Sequence, residues 1–166
     1  MDDLRYKPST TVAAIIEREG RFLLVEEHTP EGLRLNNPAG HLDPGESPQE
    51  ACARETLEET AYAFTPTALV GIYLSRFERA PSASRPKGED ITYLRFAFCG
   101  QLGALQRGRR LDYGIVRALW LTPDEIRASQ ALHRSPLVVQ CMEDYLAGKR
   151  YPLELVTTDA SIYRGR

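Results

Sequence analysis

One stretch of the sequence, residues 40–62 (GHLDPGESPQEACARETLEETAY), constrains the fold more than any other. It marks where a helix begins and it concentrates acidic side chains on that helix. Pro44-Gly45 is typical of a turn. Ser47, Pro48 and Glu50 then follow the order of an N-cap residue, a first-turn proline and the reciprocal glutamate of a capping box. We therefore expect a helix that begins at about Ser47.

The predicted helix carries three glutamates on one face. Glu55, Glu58 and Glu59 are spaced i, i+3 and i+4, which the 3.6-residue period places on the same side. Like charges at this spacing destabilise a helix by about 0.2–0.5 kcal/mol per pair, and Arg54 can offset only about one such pair. Two interpretations follow: a solvated acidic face, or a site for a hard divalent cation, Mg²⁺ or Mn²⁺, which prefers oxygen ligands.

The spacing of the charged residues resembles the Nudix box, G-x5-E-x7-R-E-U-x-E-E-x-G-U, in which U is an aliphatic residue. Every charged position of that pattern is present here. The residues that match its fixed positions are Gly40, Glu46, Arg54-Glu55 and Glu58-Glu59. Because six fixed residues match over 20 positions, the resemblance favours the metal site over the solvated face.

The box departs from its pattern at two clear positions. Thr56 stands at the first aliphatic position, and Ala61, followed by Tyr62, replaces the late glycine. Glycine there would let the chain leave the helix in a left-handed conformation, which Ala adopts only at a cost of about 1–2 kcal/mol.

Bulk properties limit the class of protein. A chain of 166 residues suits a single domain, residues 1–166, with its own hydrophobic core. The net charge of −2 gives no indication of a nucleic-acid partner, and the N-terminal residues resemble neither a signal peptide nor a membrane span. Because Cys52, Cys99 and Cys141 show no C-x-x-C spacing, we expect reduced, buried thiols and a cytoplasmic protein.

The remaining chain predicts strands on both sides of the central helix. Residues 10–16 and 21–25 predict a hairpin, and residues 28–37 a polar loop that leads to the box. Further strands are expected over 68–77, 91–99 and 115–121, and further helices after Thr122 and Ser135. This order predicts a mixed sheet covered by helices.

Short segments outside the box are similar to the NudJ-type branch of Nudix phosphatases. They are TVAAII (11–16), LLVEE (23–27), NPAGHL (37–42), YLRF (93–96), RSPLV (134–138) and KRYPLE (149–154). The resemblance implies an α/β (α+β) Nudix fold, with a mixed β-sheet in an α/β/α sandwich. It also implies a Mg²⁺-dependent hydrolase of nucleoside tri- and diphosphates or of thiamine-type pyrophosphates, including hydroxymethylpyrimidine pyrophosphate and thiamine pyrophosphate.

The resemblance also implies roles for individual residues. The metal ligands would be Glu55, Glu58, Glu59 and the backbone carbonyl of Gly40. Arg54 would orient the carboxylates, and Glu46 would have a structural, anchoring role. The general base stays open between a box glutamate, Glu55 or Glu58, and an acid on a later segment, Asp112, Glu89 or Asp90.

Other residues are candidates for contacts with the rest of the substrate. Arg34 and Arg95 could bind phosphates, although an arginine on a sheet surface is the ordinary case. Residues 78–89, with Arg79, Arg85 and Lys87, are either a flap over an anionic substrate or a solvated hairpin tip. Aromatic residues of the predicted strands, among them Phe77 and Tyr93, could form a stacking wall or part of the core.

Two other functions remain open. The first is a Nudix domain that acts as a nucleotide-binding or regulatory module without turnover, against which the intact acidic cluster argues. The second is the same chemistry on capped RNA, dinucleoside polyphosphates or nucleotide sugars. We expect a small-molecule substrate, no nucleic-acid or membrane partner, and either a monomer or a homodimer.

Overall fold

The computed structural model describes residues 5–164, whose strands form two four-stranded sheets. The strands are β1 (Ser9–Ala14), β2 (Glu17–Arg18), β3 (Arg21–Thr29), β4 (Gly32–Asn36), β5 (Ala39–His41), β6 (Tyr62–Arg79), β7 (Glu89–Leu105) and β8 (Ile115–Leu121). The helices are α1 (Pro48–Thr60), α2 (Pro123–Ala128) and α3 (Leu137–Leu146), with short 3₁₀ turns at Gln130–Leu132, Leu153–Leu155 and Ala160–Tyr163. No helix in the described part of the chain is long and apolar enough to span a membrane.

The first sheet is mixed, as the sequence predicted. Its strand order is β5-β1-β7-β6, in which β1 runs parallel to β7 and the other pairs are antiparallel. In the second sheet β3 pairs antiparallel with β2, β4 and β8. The register of the first sheet matters for the site, because Thr11 of β1 lies between His41 of β5 and Arg95 of β7.

The core has two halves because successive strand residues face opposite sides of a sheet. Ala13 of β1 and Ile15, just beyond its end, pack in a cluster with residues of α2 and α3. Val12, Ala14 and Ile16 pack instead in a cluster with residues of α1. Helix α1 therefore covers one side of the sheets and α2 and α3 cover the other, which is the α/β/α sandwich that the resemblance implied.

A local capping signal fixes the start of α1 as predicted. The Ser47 side chain accepts a hydrogen bond from the N–H of Glu50, and the Glu50 side chain accepts one from the N–H of Ser47. At the other end Ala61 adopts the left-handed conformation with φ of 61°, so the helix ends where the family pattern has glycine. Helix α2 begins with a second capping box, formed by Thr122 and Glu125.

Two predictions about the N-terminal third were wrong. The long run 10–16 does not pair with 21–25 along its length, because β1 inserts between β5 and β7. Of the residues before β3, it is the two-residue strand β2 that pairs with β3. Residues 28–37 are not an irregular loop, since β3 continues to Thr29 and pairs with β4. Leu35 of β4 is 6% exposed, and its burial in the core explains why a polar segment forms a strand.

The three cysteines Cys52, Cys99 and Cys141 are free and buried, as expected. Burial raises the pKa of each of these thiols. A raised pKa reduces the fraction of reactive thiolate, so these side chains act as small core residues.

Candidate active site

A single arginine organises the acidic face of α1. The Arg54 guanidinium donates Nε and Nη2 hydrogen bonds to the two carboxylate oxygens of Glu46, at 2.9 and 2.7 Å. Its Nη1 donates to Glu55 at 2.8 Å and to Glu58 at 3.1 Å. Its Nη2 also donates to the backbone carbonyl of His41 at 3.0 Å, which ties α1 to strand β5. Arg54 therefore fixes the positions of three carboxylates at once.

The carboxylates that share Arg54 differ in their pKa. Burial acts to raise the pKa of Glu46, but hydrogen bonds from Arg54 and from the N–H of Asp43 outweigh it, so the pKa is lowered. Burial also acts on Glu55, and the negative charges of Glu58 and Asp112 add to it. There the hydrogen bond and charge of Arg54 only partly oppose the rise, so the pKa of Glu55 is raised. Glu55 is thus short of positive charge, whereas Glu46 is not.

Strand β5 brings Gly40 against the Glu55 carboxylate. A Cβ atom built on Gly40 would overlap the carboxylate carbon and both oxygens of Glu55. A larger side chain at this position would force the Glu55 carboxylate to move, so the close approach gives a physical reason for the first residue of the box.

Asp112 completes the acidic group. Ligand oxygens of Glu55, Glu58 and Asp112 lie within 4.8 Å of one another. The loop before β8 is held there because the N–H of Asp112 donates to the carbonyl of Glu58 at 3.0 Å. We call these three residues the acidic triad.

The other two acids considered for the general base lie elsewhere, at the start of β7. Glu89 accepts a hydrogen bond from Arg79 at 2.7 Å. Asp90 accepts two from Arg76, at 2.8 and 2.9 Å, which lower its pKa. Both carboxylates are already neutralised by arginine, and only Asp112 joins the box glutamates.

Glu59 is directed to another neighbour than the acidic triad. It is 8% exposed and accepts a hydrogen bond from the N–H of Ala39 at 2.9 Å. Burial raises its pKa to about 9; the Ala39 hydrogen bond opposes this rise, and the charges of Glu27 and Glu55 add to it. Glu59 therefore experiences the negative potential of the neighbouring acids and is more buried than the triad.

A cavity of about 530 Å³ opens beside these acids, within the range typical of small-molecule sites. Gly40, Glu55, Glu59 and Glu27 contribute to its acidic part. The remaining wall includes polar, basic and aromatic residues, among them Thr11, Asn36, Ser75, Arg76, Phe77, Arg79, Tyr93, Arg95, Arg134 and Ser135. Asp43 and Glu89 line the cavity as well, so it presents both carboxylates and arginines to one ligand.

The structure separates the two arginines proposed for phosphate contacts. Arg95 is 6% exposed, lines the cavity and hydrogen-bonds to the side-chain oxygens of Asn37 and Asn36, at 3.1 and 3.4 Å. Arg34 does not line the cavity; its guanidinium donates to the carbonyl of Leu33 at 2.9 Å. The sequence predicts a loop at Arg34 and a strand at Arg95, but which of the two side chains lines the cavity depends on the sheet register.

Segment 78–89 covers the turn between β6 and β7. Arg79 pairs with Glu31 and Glu89, and Arg85 lies 3.4 Å from Glu89. Two of the three cations considered for a flap are therefore engaged by carboxylates. Of the aromatic candidates, Phe77 and Tyr93 line the cavity.

Sequence analysis missed one ion pair in the cavity wall. Arg134 contacts Glu27 at 2.9 Å, and the Glu27 side chain is only 13% exposed. Both residues lie in segments that resemble the family outside its box, LLVEE and RSPLV. No local spacing relates them, because β3 and the segment before α3 meet only in the folded chain.

Several known proteins are similar to this chain. Residues 5–140 match the NUDIX domain. The chain is 36% identical over 151 residues to Phosphatase NudJ of Escherichia coli, which covers 91% of this chain and 92% of that protein. A solved structure of a NUDIX hydrolase from Nitrosomonas europaea is 54% identical, with a TM-score of 0.80 over 92% of this chain and 98% of that one. A MutT NUDIX hydrolase from Burkholderia pseudomallei shares the fold, with a TM-score of 0.62 and 20% identity over 84% and 98% of the two chains.

Proposed function

Because this chain belongs to the NUDIX family and is a hydrolase of pyrophosphate-type substrates, we propose that it is a Mg²⁺-dependent pyrophosphohydrolase. Its proposed substrates are nucleoside tri- and diphosphates or thiamine-type pyrophosphates. The three free, buried cysteines support a cytoplasmic location for this activity. We assign the whole activity to one domain, residues 1–166.

The donor chemistry of the site fits a hard divalent ion. The acidic triad offers carboxylate oxygens within 4.8 Å of one another, and oxygen is the ligand that Mg²⁺ and Mn²⁺ prefer. Glu59 and the carbonyl of Gly40 are the further ligands that we propose. When bound, the ion would neutralise charge on the phosphate oxygens and acidify a water molecule.

The chain's own residues would position these groups. Arg54 holds Glu55 and Glu58 through Nη1 and is itself fixed by the two oxygens of Glu46. We assign Arg54 and Glu46 to positioning, since Glu46 holds Arg54 and Arg54 holds the two glutamates. For the general base we favour Asp112, with Glu55 and Glu58 as alternatives. Asp112 lies beside both glutamates and is exposed to water.

The basic part of the cavity supports binding of the substrate's remaining groups. Arg95 is our candidate for a phosphate contact, whereas Arg34 lies outside the cavity wall and is the weaker candidate. Phe77 and Tyr93 offer ring faces to a pyrimidine or a nucleobase. A cavity of about 530 Å³ suits a substrate of that size.

The observation that carries the proposal is the meeting of the three carboxylates of the acidic triad, of which Glu55 lines the cavity. Two of them, Glu55 and Glu58, share the single guanidinium of Arg54, so the group has an excess of negative charge. Phosphoanhydride hydrolysis needs charge neutralisation and in-line positioning of water more than covalent help from the protein. A cation held at the triad would supply the first of these.

Hydrolysis of a panel of pyrophosphates, followed by chromatography of the products, tests the proposal. The panel contains nucleoside tri- and diphosphates, thiamine-type pyrophosphates, dinucleoside polyphosphates, nucleotide sugars and capped RNA, each with Mg²⁺ and with chelator. We expect chelator-sensitive turnover concentrated on the first two classes. Turnover of another class would refute the substrate assignment, and nucleotide binding without any turnover would favour the regulatory-module alternative.

A further inference from the structure

Arg95 differs from the other arginines that line the cavity. Arg76 pairs with Asp90 and Glu78, Arg79 pairs with Glu31 and Glu89, and Arg134 pairs with Glu27. Within residues 5–164 Arg95 has no carboxylate partner, although it is the most buried of the four at 6% exposure.

A buried cation without a counter-charge is costly. The two amide oxygens of Asn36 and Asn37 engage two of the five N–H donors of a guanidinium. No nitrogen of Arg95 is both buried and without a hydrogen-bond partner, and Arg95 lines the cavity. Its charge and a hydrogen bond also act on the Cys141 thiol, where they oppose the rise that burial causes in the pKa of Cys141.

Asn36 adds donors to the same place. Its side-chain oxygen accepts from Arg95, which leaves the two N–H donors of the amide free to bind a ligand. Asn36 lines the cavity, and so do Ser75 and Tyr93, which pair with each other on the sheet that carries Arg95. The chain thus arranges a planar guanidinium, an amide and hydroxyl groups around a space that contains no carboxylate partner for Arg95 among the described residues.

The sheet register sets the distance of this place from the acids. In the first sheet Arg95 is opposite Thr11, and Thr11 is opposite His41, which follows Gly40. With strands about 4.8 Å apart, Arg95 lies two strands, or about 10 Å, from the β5 backbone that contacts Glu55. A ligand in the cavity can therefore contact both regions.

We propose that Arg95 and the amide of Asn36 form a phosphate-binding subsite that works without a metal ion and holds the phosphoryl group of the substrate that the acidic triad does not. The guanidinium fork matches two phosphate oxygens, and such charge-assisted hydrogen bonds are among the stronger ones in proteins. The identification of the bound anion as a phosphate rests on the proposed function. The expectation that an anion binds rests only on the charge of Arg95, which has no carboxylate partner among the described residues. The released phosphate binds at the same place.

Titration of the protein with inorganic phosphate in chelator, at constant ionic strength, tests the subsite without turnover. Calorimetry and thermal unfolding serve as the two measurements. We expect saturable binding and stabilisation of the wild-type protein. R95M should weaken phosphate binding about tenfold or more, since one or more charge-assisted hydrogen bonds are lost. R95K should keep the charge but bind less tightly than wild type, because lysine lacks the fork.

R76M is the matched control in the same cavity, because Asp90 and Glu78 already neutralise the Arg76 cation. Its phosphate affinity should stay close to wild type. Absence of phosphate binding to the wild-type protein, or undiminished binding by R95M, would overturn the subsite. Should R95M fail to fold, phosphate binding by the wild-type protein and by R95K tests the subsite instead. Failure of the proposed function would look different, since phosphate would still bind while no pyrophosphate was turned over.

Discussion

Two helices carry clusters of charge, and the clusters are built in opposite ways. On α1 a single cation, Arg54, faces Glu46, Glu55 and Glu58. On α3 a single carboxylate, Asp144, accepts hydrogen bonds from Lys149 at 2.7 Å, Tyr73 at 2.7 Å and Gln140 at 3.3 Å. The α1 cluster has more acids than cations, whereas the acid of the α3 cluster is fully compensated.

The pKa shifts follow the same division. Burial acts to raise the pKa of Asp144, but the hydrogen bonds from Lys149, Tyr73 and Gln140 outweigh it and the pKa is lowered. Burial raises the pKa of Glu55, and Arg54 does not reverse it. The α3 cluster therefore stabilises the charged carboxylate and the fold together. The α1 cluster keeps a deficit of positive charge that a bound cation would remove.

E58Q should produce the largest change, because it removes one carboxylate from the acidic triad. We expect turnover to fall about 10³-fold, since a metal ligand supports several kcal/mol of transition-state charge stabilisation. The free energy of unfolding in chelator should change by no more than about 0.5 kcal/mol, because relief of repulsion offsets the lost contact with Arg54. Steady-state kinetics with Mg²⁺ and chemical unfolding in chelator measure the two effects.

E143Q is the control for this prediction. Glu143 of α3 makes an exposed ion pair with Arg127 of α2 and lies outside the cavity. Its turnover should equal that of wild type. Wild-type turnover by E58Q at saturating Mg²⁺ would refute the assignment of the triad to metal binding.

R54M tests the charge deficit by removing the cation instead of a carboxylate. Removing the guanidinium leaves Glu46 and Glu55 without their partner, and their side chains are only 15% and 13% exposed. We expect the free energy of unfolding in chelator to fall by about 3 kcal/mol, at the lower end for breaking a buried pair because Arg54 itself is partly exposed. Added Mg²⁺ should stabilise R54M more than wild type in thermal unfolding. Equal stabilisation of the two proteins would contradict the view that the cluster needs a cation.

D144N tests the compensated cluster, with a smaller effect. Its charge-assisted hydrogen bonds should contribute about 2 kcal/mol to the stability of the wild-type protein at pH 7. Because the folded-state pKa of Asp144 is lowered, this contribution is present above the unfolded value of 3.8 and is lost as the pH falls through the folded value. Denaturant unfolding of both proteins from pH 7 to pH 2.5 should therefore show curves that converge below about pH 4. A constant difference over that range would exclude Asp144 ionisation as the cause.

Local signals made part of this architecture predictable from the sequence. The capping box at Ser47 predicted the start of α1, and the 3.6-residue period predicted the shared face of Glu55 and Glu58, because both depend on neighbouring residues alone. Strand β4 was missed because its burial depends on Leu35 reaching a core formed by distant segments. The meeting of Asp112 with α1 depends on a contact to the carbonyl of Glu58 across the fold.

The division between Arg95 and Arg34 shows the same limit. The sequence predicts Arg34 in a polar loop and Arg95 in a strand, and neither prediction says which side chain faces the cavity. The pairing of β1 with β7 places Arg95 under the cavity, whereas Arg34 lies near the β3–β4 turn. Side-chain chemistry can thus be predicted from the sequence more readily than the surface on which it is displayed.

The ends of the two helices provide the smallest test of their difference. Helix α3 is followed by Gly148 with φ of 81°, whereas α1 is followed by Ala61 with φ of 61°. Glycine adopts this conformation freely, but Ala does so at a cost of about 1–2 kcal/mol, part of which the greater chain entropy of glycine offsets. A61G should therefore raise the free energy of unfolding by about 1 kcal/mol, and G148A should lower it by about the same amount.

Denaturant unfolding of both variants in chelator measures these changes, and a loss of stability in A61G would show that the Ala61 methyl group contributes more by packing than its conformation costs. A gain in A61G together with a loss in G148A would place the backbone strain at the end of the helix that carries the uncompensated acids.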